Sequence, residues 1–536
     1  MRGTMMQFPL TLCHLVRRAE QLFSGSEIVT RLPDKSLHRY SYGDLCRRLR
    51  CLGGALQTLG MQQGDRIATL MWNDYAHVEA YFGVPCAGGI LHTLNIRLHP
   101  DDLVYIVRHA GDRFLIIDDV LLPLYEKIRH AVAFEHVIVV PLTGAPVAEP
   151  FHDYEALLRS ASPLVLVDPD ENDAAGMCYT SGTTGRPKGV VYTHRSLVLH
   201  SLANSTVDYL GLGNNDTVCP VVPMFHVNAW GLPYTTVMMG ARLVLPGPYL
   251  DPESLLDLYE RERVTVTAGV PTVWHGILQA LQNEPGRWRL REGMRMVVGG
   301  AAPSESLIRG FDGFGLQVIH GWGMTETSPV GTVNYTKSEL GALSRDEHFA
   351  LRAKQGVPLP FFEVRAIGAA GEVPWDGASL GELQVRGPWV AERYYDLAEQ
   401  ADKWTADGWF RTGDIVAIDA SGYVRIADRS KDLVKSGGEW ISSLDLENAL
   451  MGHPAVQEAA VIAVAHERWG ERPLAVVVTK PRANVSADAL REFIAPRFAR
   501  FWLPDDFIFV DQIPRTATGK MLKAKLREQF RHHYGV

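Results

Sequence analysis

Between residues 38 and about 170, apolar and polar positions follow a pattern that predicts helices and short strands in turn. YSYGDLCRRLRCLGGALQTLG has the apolar spacing of a helix that ends at a glycine, and AHVEAYFGVPCAGG predicts a second helix. DRIATLMW, RFLIIDD and HVIVVP are short apolar runs that predict strands. ARLVLPG, VTVTAGV and MRMVVGG continue this alternation, which is typical of an α/β domain with a largely parallel sheet.

The pattern changes from about residue 380 onward. GELQVRGP, WFRTGDIVAID and GYVRIADR predict strands joined by hairpins, with a turn at Ser421-Gly422, and hence a β-rich subdomain. Beyond IADRSKDLVKSGGEWIS, the stretches SLDLENALMGHP and ADALREFIAPRFA predict helices, while EAAVIAVAH and LAVVVTK predict strands. We therefore expect a large N-terminal α/β domain over residues 1–428 and a small α+β C-terminal domain over 432–536, with the boundary near Asp428–Lys431.

Composition and charge exclude several classes of protein. The 536 residues exceed one ordinary domain, and 46% of them are apolar, which is typical of a globular protein. The net charge is −8 and no basic block with interleaved aromatic residues occurs, which argues against a nucleic-acid partner. No apolar run approaches the ~18 residues of a transmembrane span. The N-terminal MQFPLTLCHLVRRAEQLF predicts an amphipathic helix and not a signal peptide, because its arginines lie inside the stretch instead of before it.

The cysteines and the basic C-terminus suggest no chemistry of their own. The six cysteines have no CxxC pair and no metal-ligand spacing, as expected for reduced thiols in a cytosolic protein. Cys178 lies in the apolar run GMCYT, which favours strand packing over a role as nucleophile. For KMLKAKLREQFRHH a solvated terminal helix is the favoured interpretation, and a weak anionic docking surface is the alternative.

The first candidate site is YTSGTTGRPKGV, from Tyr179 to Val190. Glycines let a loop turn several backbone N–H groups toward one phosphate, Ser and Thr add hydroxyl donors, and Lys188 adds a positive charge. The stretch follows an apolar strand and precedes the predicted helix THRSLVLHSLANS, so we expect a loop that binds polyphosphate. It does not match the P-loop pattern GxxxxGK[ST], because Gly189 follows Lys188.

Five motifs, in order, resemble those of the adenylate-forming superfamily, which includes acyl-CoA synthetases, peptide-synthetase adenylation domains and luciferases. YTSGTTGRPKGV is similar to its phosphate-loop signature, GWGMTET to its aromatic-Gly-x-Thr-Glu segment and RTGDI to its ribose-binding segment. ADRSKDLVKSGGEWIS resembles the hinge and crossover loop, and PRTATGK the motif of the C-terminal lysine. CPVVPMFHVNAWGLPY, residues 219–234, is similar to medium- and long-chain fatty acyl-CoA synthetases and to ligases of short thioether acids. The resemblance implies a large domain of mixed and parallel sheets with a β-rich subdomain, and a small mobile C-terminal domain.

The resemblance also implies a site for ATP and Mg²⁺. Lys520 matches the lysine that bridges the carboxylate and the α-phosphate, Glu326 the Mg²⁺ ligand, and Thr180 its companion. Asp414 would accept hydrogen bonds from the ribose, and Thr325 would donate to the α-phosphate. The other residues implied in ATP or AMP binding are Ser181, Gly182, Thr183, Thr184, Gly185, Lys188, Val227, Gly299, Gly300, Ala301, His320, Gly321, Trp322, Gly323, Arg429, Lys431, Lys435 and Trp440. The alternatives are a solvated Lys520, a helix-start acid at Glu326, a turn residue at Asp414 and a structural His320.

Acyl and CoA sites are implied in the same way. Trp230 matches a tryptophan that gates the acyl tunnel, and His226 would line the reaction centre; a core tryptophan and a core histidine are the alternatives. Lys431 would be the hinge residue. The small domain would act twice, with Lys520 at the site for adenylation and a glycine loop at the site for thioester formation. The passage for CoA would be formed by Gly437, Gly438, Glu439 and Trp440.

The implied function is that of an AMP-forming acyl-CoA synthetase, an acid–thiol ligase. A carboxylic acid and MgATP give an acyl-adenylate and diphosphate, and CoA then gives acyl-CoA and AMP. A medium- or long-chain fatty acid is the expected substrate, and a cytoplasmic homodimer the expected form. The alternatives are a ligase of short-chain or thioether acids, an acyl-AMP ligase that loads a carrier protein, a luciferase-like oxygenase and a non-catalytic nucleotide-binding sensor.

Overall fold

The computed structural model describes residues 1, 3–180, 186–397, 402–429, 432–436, 439–516 and 521–535, with the backbone alone for residues 439 and 440. Several predicted site residues lie outside this description: Ser181, Gly182, Thr183, Thr184, Gly185, Lys431, Gly437, Gly438, Lys520 and the side chains of Glu439 and Trp440. Within the described ranges, no helix combines the length and the apolar character that crossing a membrane requires.

Two large, mainly parallel sheets form the N-terminal part. The nine-stranded sheet has the order Val357–Pro358, Val330–Val333, Gln317–Gly323, Arg295–Val298, Val266–Gly269, Thr217–Pro220, Arg242–Leu245, Glu27–Arg31 and Leu37–Ser41. The seven-stranded sheet has the order His152–Asp153, His136–Val140, Phe114–Asp118, Arg66–Leu70, Ile90–Thr93, Ala174–Tyr179 and Gly189–Thr193. The inner strands pair in parallel and the antiparallel pairs lie toward the edges. Runs such as FLIID are buried along their whole length because both faces of such a sheet are covered.

Helices connect and cover these strands. Their starts carry the caps expected from sequence: Ser41 and Thr193 each form a capping box, and Asp251 and Ser304 accept from backbone N–H groups. The α-helices of this part are Leu12–Phe23, Tyr42–Thr58, Tyr75–Cys86, Pro100–Ala110, Leu122–Tyr125, Tyr154–Ser160, His194–Ser205, Leu232–Met239, Pro252–Glu262, Pro271–Asn283, Glu305–Asp312 and Arg345–Ala353. Short 3₁₀ helices occupy Asp119–Leu121, Thr325–Thr327 and Ser338–Leu340.

Two smaller sheets follow. An antiparallel five-stranded sheet has the order Gly371–Glu372, Glu363–Gly368, Gly381–Arg386, Phe410–Ile418 and Val424–Arg429. The C-terminal part contains Glu439–Ile441, Val434–Ser436, Gly470–Thr479 and Val456–His466, with Asp506–Phe509 parallel to Gly470–Thr479. Its helices are Ser443–Met451, Ala487–Ile494 and Lys523–Gln529, with 3₁₀ turns at Ala495–Arg497 and Arg500–Trp502. These elements confirm the predicted fold class.

One prediction from sequence needs an addition and another needs correction. The helix predicted after the phosphate-loop candidate is confirmed at His194–Ser205, but the strand Gly189–Thr193 that precedes it was not predicted. The C-terminal helix is not simply solvated, since Lys523 pairs with the buried Glu447 and Arg527 pairs with Asp432. The six cysteines are buried, and burial raises the pKa of the Cys178 thiol, in line with packing inside a strand.

Candidate active site

The predicted site residues converge where the carboxyl ends of parallel strands meet. The strands Thr217–Pro220, Val266–Gly269, Arg295–Val298 and Gln317–Gly323 are neighbours, so the segments that follow them share one edge of the sheet. Those segments carry His226, Thr272, Gly299 and Glu326. The second sheet joins this edge, because the Tyr192 hydroxyl donates to the carbonyl oxygen of Thr325 at 2.8 Å.

The described ends of the phosphate-loop candidate are held together. The backbone N–H of Thr180 donates to the carbonyl of Lys188 at 2.9 Å, and the N–H of Lys188 donates to Thr180 Oγ1 at 3.1 Å. The loop is therefore a hairpin connection between the strands Ala174–Tyr179 and Gly189–Thr193. This pairing fixes Thr180 and Lys188 side by side.

Lys188 and Glu326 meet at one aromatic side chain. The Nζ of Lys188 lies 5.0 Å from the ring centroid of Tyr394, whose hydroxyl donates to Glu326 Oε1 at 2.6 Å. Burial, and then the neighbouring charge of Lys403, lower the pKa of Lys188. An anionic phosphate beside this lysine would favour its charged form. The structure thus brings together the predicted phosphate lysine and the predicted metal ligand.

A second cluster surrounds Asp414, which is 5% exposed. Trp322 donates its indole N–H to Asp414 Oδ2 at 2.9 Å, and Arg429 Nε lies 3.5 Å from Asp414 Oδ1. Asp414 and Arg429 are paired residues of adjacent antiparallel strands, so the sheet sets their spacing. A buried carboxylate held in this way can accept hydrogen bonds from a diol such as ribose.

The predicted gate residue Trp230 contacts the predicted adenine slot. A Cβ added to Gly299 would lie 2.9 Å from Trp230 Cη2, so a side chain at this position would require the indole to shift. Val227, Asn228, Ala229 and Trp230 all have positive φ, between 45° and 58°, and Gly231 continues the run at 73°. This is a left-handed turn, a conformation that non-glycine residues rarely adopt in series. Any movement of Trp230 would therefore alter a wall of the predicted adenine slot.

Polar contacts from surrounding elements hold this turn. The Asn204 side-chain amide donates to the carbonyl of Trp230 at 3.2 Å, and the Cys178 thiol donates to Asn228 Oδ1 at 3.4 Å. Just upstream, the Asn73 amide donates to the carbonyls of Pro220 and Val222 at 2.9 and 3.0 Å. The sequence analysis did not find Asn73 or Asn204, since neither lies in a motif and only the fold brings them to the turn.

The remaining predicted residues take varied positions. His226 is half-buried immediately before the turn, and Val227 is buried in its first position. The His320 ring lies in the core, bonded through Nδ1 to the carbonyl of Ala353 at 3.0 Å, and burial lowers its pKa to about 4.

Lys435 is exposed on the strand Val434–Ser436, and Thr325 is buried. Gly300 and Ala301 are exposed, and the strand ends at Gly321–Gly323 line the same edge.

The C-terminal part reaches this edge through Arg515. Its guanidinium donates to Thr272 Oγ1 at 2.8 Å and to Glu458 Oε1 at 2.6 Å. Thr272 is the second residue of the helix Pro271–Asn283, which follows the strand Val266–Gly269, and Arg515 belongs to the same PRTATGK motif as Lys520. Arg515 also forms a β-bridge with Met521.

Glu326 and Thr180 fit a Mg²⁺ ion that binds mainly through phosphate. Both offer oxygen donors, which Mg²⁺ prefers, and contacts through Lys188 and Tyr394 connect them. Over the described ranges, no group of three or more His, Cys, Asp or Glu side chains could hold a metal by itself. An ion at this place would complete its shell with phosphate oxygens and water.

Comparison with known proteins identifies the family. The AMP-binding enzyme model matches residues 17–395, and the AMP-binding enzyme C-terminal domain model matches residues 445–520. The chain is 49% identical over 535 residues to a long-chain-fatty-acid–CoA ligase of Thermus thermophilus, covering 99% of this chain and 98% of that protein. It is 44% identical over 540 residues to a 3-methylmercaptopropionyl-CoA ligase of Ruegeria lacuscaerulensis, covering 99% of both. The anthranilate CoA ligase AuaEII in complex with anthranoyl-AMP superposes with a TM-score of 0.86 at 26% identity, covering 99% of both chains.

This chain belongs to the AMP-binding enzyme family. The predicted resemblance to adenylate-forming enzymes and the predicted class, an AMP-forming acid–thiol ligase, are thereby confirmed. The roles assigned to single residues stay predictions. Tyr394 is the main residue of the site that was not predicted from sequence. It lies in the connection between the strands Gly381–Arg386 and Phe410–Ile418, outside the motifs, so no signal in the sequence indicated it.

Proposed function

We propose that this ligase activates medium- or long-chain fatty acids, forming an acyl-adenylate from ATP and then acyl-CoA. The observation that carries the proposal is the convergence of Lys188, Glu326 and Asp414, which come from segments of three different sheets and are connected through Tyr394 and Trp322. The Thermus relative, named for long-chain fatty acids, supports the class of acid.

Different residues of the site bind different parts of the nucleotide during adenylation. Asp414, oriented by Trp322 and Arg429, holds the ribose, while Lys188 and the loop that Thr180 closes hold the polyphosphate. Lys520 would place its charge between the attacking carboxylate and the α-phosphate, where negative charge develops. Because the site holds both reactants in place, their reaction becomes effectively unimolecular instead of depending on an encounter of two molecules in solution.

Mg²⁺ is part of the proposal, with Glu326 and Thr180 as its protein ligands. A bound ion would neutralise phosphate charge as diphosphate leaves. Tyr394 would orient the Glu326 carboxylate through its hydroxyl. We also propose the domain limits 1–428 and 432–536, which follow the change in sequence pattern, and a cytoplasmic location, which fits the scattered cysteines. A hinge at 429–431 and a homodimer are proposed from the family resemblance.

The small domain would turn between the half-reactions. Arg515 at Thr272 supports an orientation in which the PRTATGK motif faces the strand edge, as adenylation requires. Thioester formation would then bring Gly437 and Gly438 to the site with CoA. Trp230 would open the acyl tunnel, and its contact with Gly299 would couple that opening to the nucleotide.

The second candidate substrate is a short thioether acid, favoured by the 44% identical Ruegeria relative. Acyl-CoA formation from acids of increasing length, together with 3-(methylthio)propionic acid, separates the two. A tunnel for fatty acids gains about fourfold in affinity per methylene, from ~0.8 kcal/mol of buried CH₂, until the tunnel is filled. Peak kcat/KM at eight or more carbons supports the proposal. Peak kcat/KM for the thioether acid would overturn it in favour of the alternative.

A further inference from the structure

A set of buried polar contacts links the last strand before the proposed hinge to the first helix after it. The N–H of Ser443 donates to Asp428 Oδ2 at 2.8 Å, and the Ser443 hydroxyl donates to the same carboxylate oxygen. Ser442 Oγ donates to the carbonyl of Ala427. Asp428 is 4% exposed and Ser443 is fully buried. These contacts cross the hinge in sequence, so they join the two proposed domains.

A lysine supports this contact from the side of the small domain. Lys523 Nζ donates to Ser443 Oγ and to Glu447 Oε1, both at 2.6 Å. Glu447 Oε1 also accepts from the N–H of Val461 at 2.7 Å, which anchors the pair to the strand Val456–His466. The Ser443 hydroxyl is thus oriented by Lys523 as its donor and by Asp428 as its acceptor.

The rest of the hinge region is bound within the small domain or at its surface. Asp432, on the far side of the hinge, pairs with Arg527 at 2.5 Å, and both residues would move together with the small domain. Arg425 and Asp445 also cross the hinge, at 3.2 Å, but both side chains are about one-third exposed. Of these contacts, the one between Asp428 and Ser443 is therefore the one that both crosses the hinge and holds a charged group in a buried position.

Such a contact has two states. A buried carboxylate that loses its donors leaves an uncompensated charge, so the contact is either intact or fully separated and hydrated. Rotation about residues 429–431 separates Asp428 from Ser443, because one precedes and the other follows the hinge. The contact consequently opposes that rotation.

We propose that Asp428, Ser443 and Lys523 form a latch that holds the small domain in the orientation with Arg515 at Thr272, and that opens each time the domain turns. This inference rests on the two-step cycle proposed above. Ser443 and Lys523 are positioning residues, because they act on the orientation of the domain and not on the reacting atoms.

The test compares Ser443→Ala with Ser486→Ala. Ser486 caps the helix Ala487–Ile494 within the small domain by accepting from the N–H of Ala489 at 3.2 Å, so this control loses a serine hydroxyl but no contact across the hinge. The rate of diphosphate release without CoA measures adenylation, and the rate at which CoA consumes supplied acyl-adenylate measures thioester formation. Weakening the latch shifts the domain equilibrium toward the second orientation. The ratio of the second rate to the first should rise about tenfold in Ser443→Ala and stay unchanged in Ser486→Ala.

A structural measurement accompanies the rates. The native cysteines are buried, so spin labels at Val207→Cys (90% exposed) and Asp488→Cys (side chain 85% exposed) report the distance between the domains. A second distance population should grow in Ser443→Ala and in Asp428→Asn, the variant to use if Ser443→Ala does not fold. The latch would be overturned if Ser443→Ala and Ser486→Ala had the same ratio of thioester formation to adenylation and the same distribution of distances between the domains. Failure of the proposed function is distinct: the unsubstituted protein would release no diphosphate, while the distances would still be measurable.

Discussion

At the scale of single residues, Trp322 illustrates how one side chain can orient another. The sequence places Trp322 in the aromatic-Gly-x-Thr-Glu segment but does not indicate a partner for its indole N–H. The structure adds that the indole N–H donates to Asp414, the predicted ribose ligand, at 2.9 Å. Hydrogen bonds to charged groups contribute ~1.5–3 kcal/mol, so this contact is large enough to influence nucleotide binding.

Trp322→Phe keeps an aromatic ring and removes the donor. We expect the KM for ATP to rise by about tenfold or more, because Asp414 loses its orienting partner. Initial rates of diphosphate release at varied ATP measure this. Trp389→Phe is the control, since its indole donates instead to the carbonyl of Val330 at 3.0 Å. An unchanged KM for ATP in Trp322→Phe would contradict the role given to the indole.

Tyr394→Phe tests the orientation of Glu326. Partners of metal ligands typically affect metal affinity by ~10–100-fold, so the Mg²⁺ concentration for half-maximal diphosphate release should rise by about tenfold. Tyr395→Phe is the matched control, because its ring lies at His109, 5.7 Å between centroids, and not at Glu326. The same Mg²⁺ dependence in both variants would argue that Tyr394 does not act through the metal ligand.

At the scale of elements, the left-handed turn at Val227–Trp230 could not be predicted from sequence. Apart from Asn228, these residues disfavour positive φ, at ~1–2 kcal/mol each. The conformation is imposed by contacts distant in sequence, from Asn204, Cys178 and the packing of Trp230 on Gly299. Strain of this kind persists where the surroundings over-determine it, often at switches and active sites.

A matched pair of Ala→Gly substitutions measures that strain. Ala229 has a φ of 47°, whereas Ala203 lies in the helix His194–Ser205. Ala203→Gly should destabilise the fold by ~1 kcal/mol. Ala229→Gly should cost ~1–2 kcal/mol less than that, because glycine adopts positive φ freely. Unfolding midpoints in urea report the difference, and equal costs at both positions would show that the turn is not strained.

Regular elements were predictable where local signals agreed with tertiary packing. The apolar runs DRIATLMW and RFLIIDD form strands, and Ser41 and Asp44 begin the predicted helix with a capping box. The strand Gly189–Thr193 was missed because five residues after a glycine-rich loop are too few for periodicity to decide. Motifs located Thr180, Glu326 and Asp414, but Tyr394, Asn73 and Asn204 depend on contacts that form only on folding.

At the scale of the whole molecule, a buried acid pair should make stability depend on pH. The carboxyl groups of Asp74 and Asp118 are neighbours in the core and affect each other's pKa, and both are at most 1% exposed. Burial raises the pKa of Asp74 to about 7, and burial together with Asp74 raises the pKa of Asp118 well above its ordinary value. The folded chain therefore keeps protons that the unfolded chain releases above pH ~4.

Stability should accordingly be highest below pH ~4 as far as this pair is concerned, and fall by up to ~4 kcal/mol as pH rises through 7. Thermal midpoints at pH 5 and pH 8 measure the trend. In Asp118→Asn the amide can donate to Asp74 without a titrating proton, so the difference between the two midpoints should shrink. An undiminished difference in Asp118→Asn would exclude this pair as its source.

The central claim is that Lys188, Glu326 and Asp414 belong to one adenylation site that uses a fatty acid. The most direct test is diphosphate release from MgATP with a panel of carboxylic acids, without CoA, for the unsubstituted protein and for Lys520→Ala and Glu326→Gln. We predict release that rises with acyl length and falls by about 100-fold or more in both variants. Tight ATP binding with no diphosphate released for any acid would contradict the account and favour a nucleotide-binding sensor.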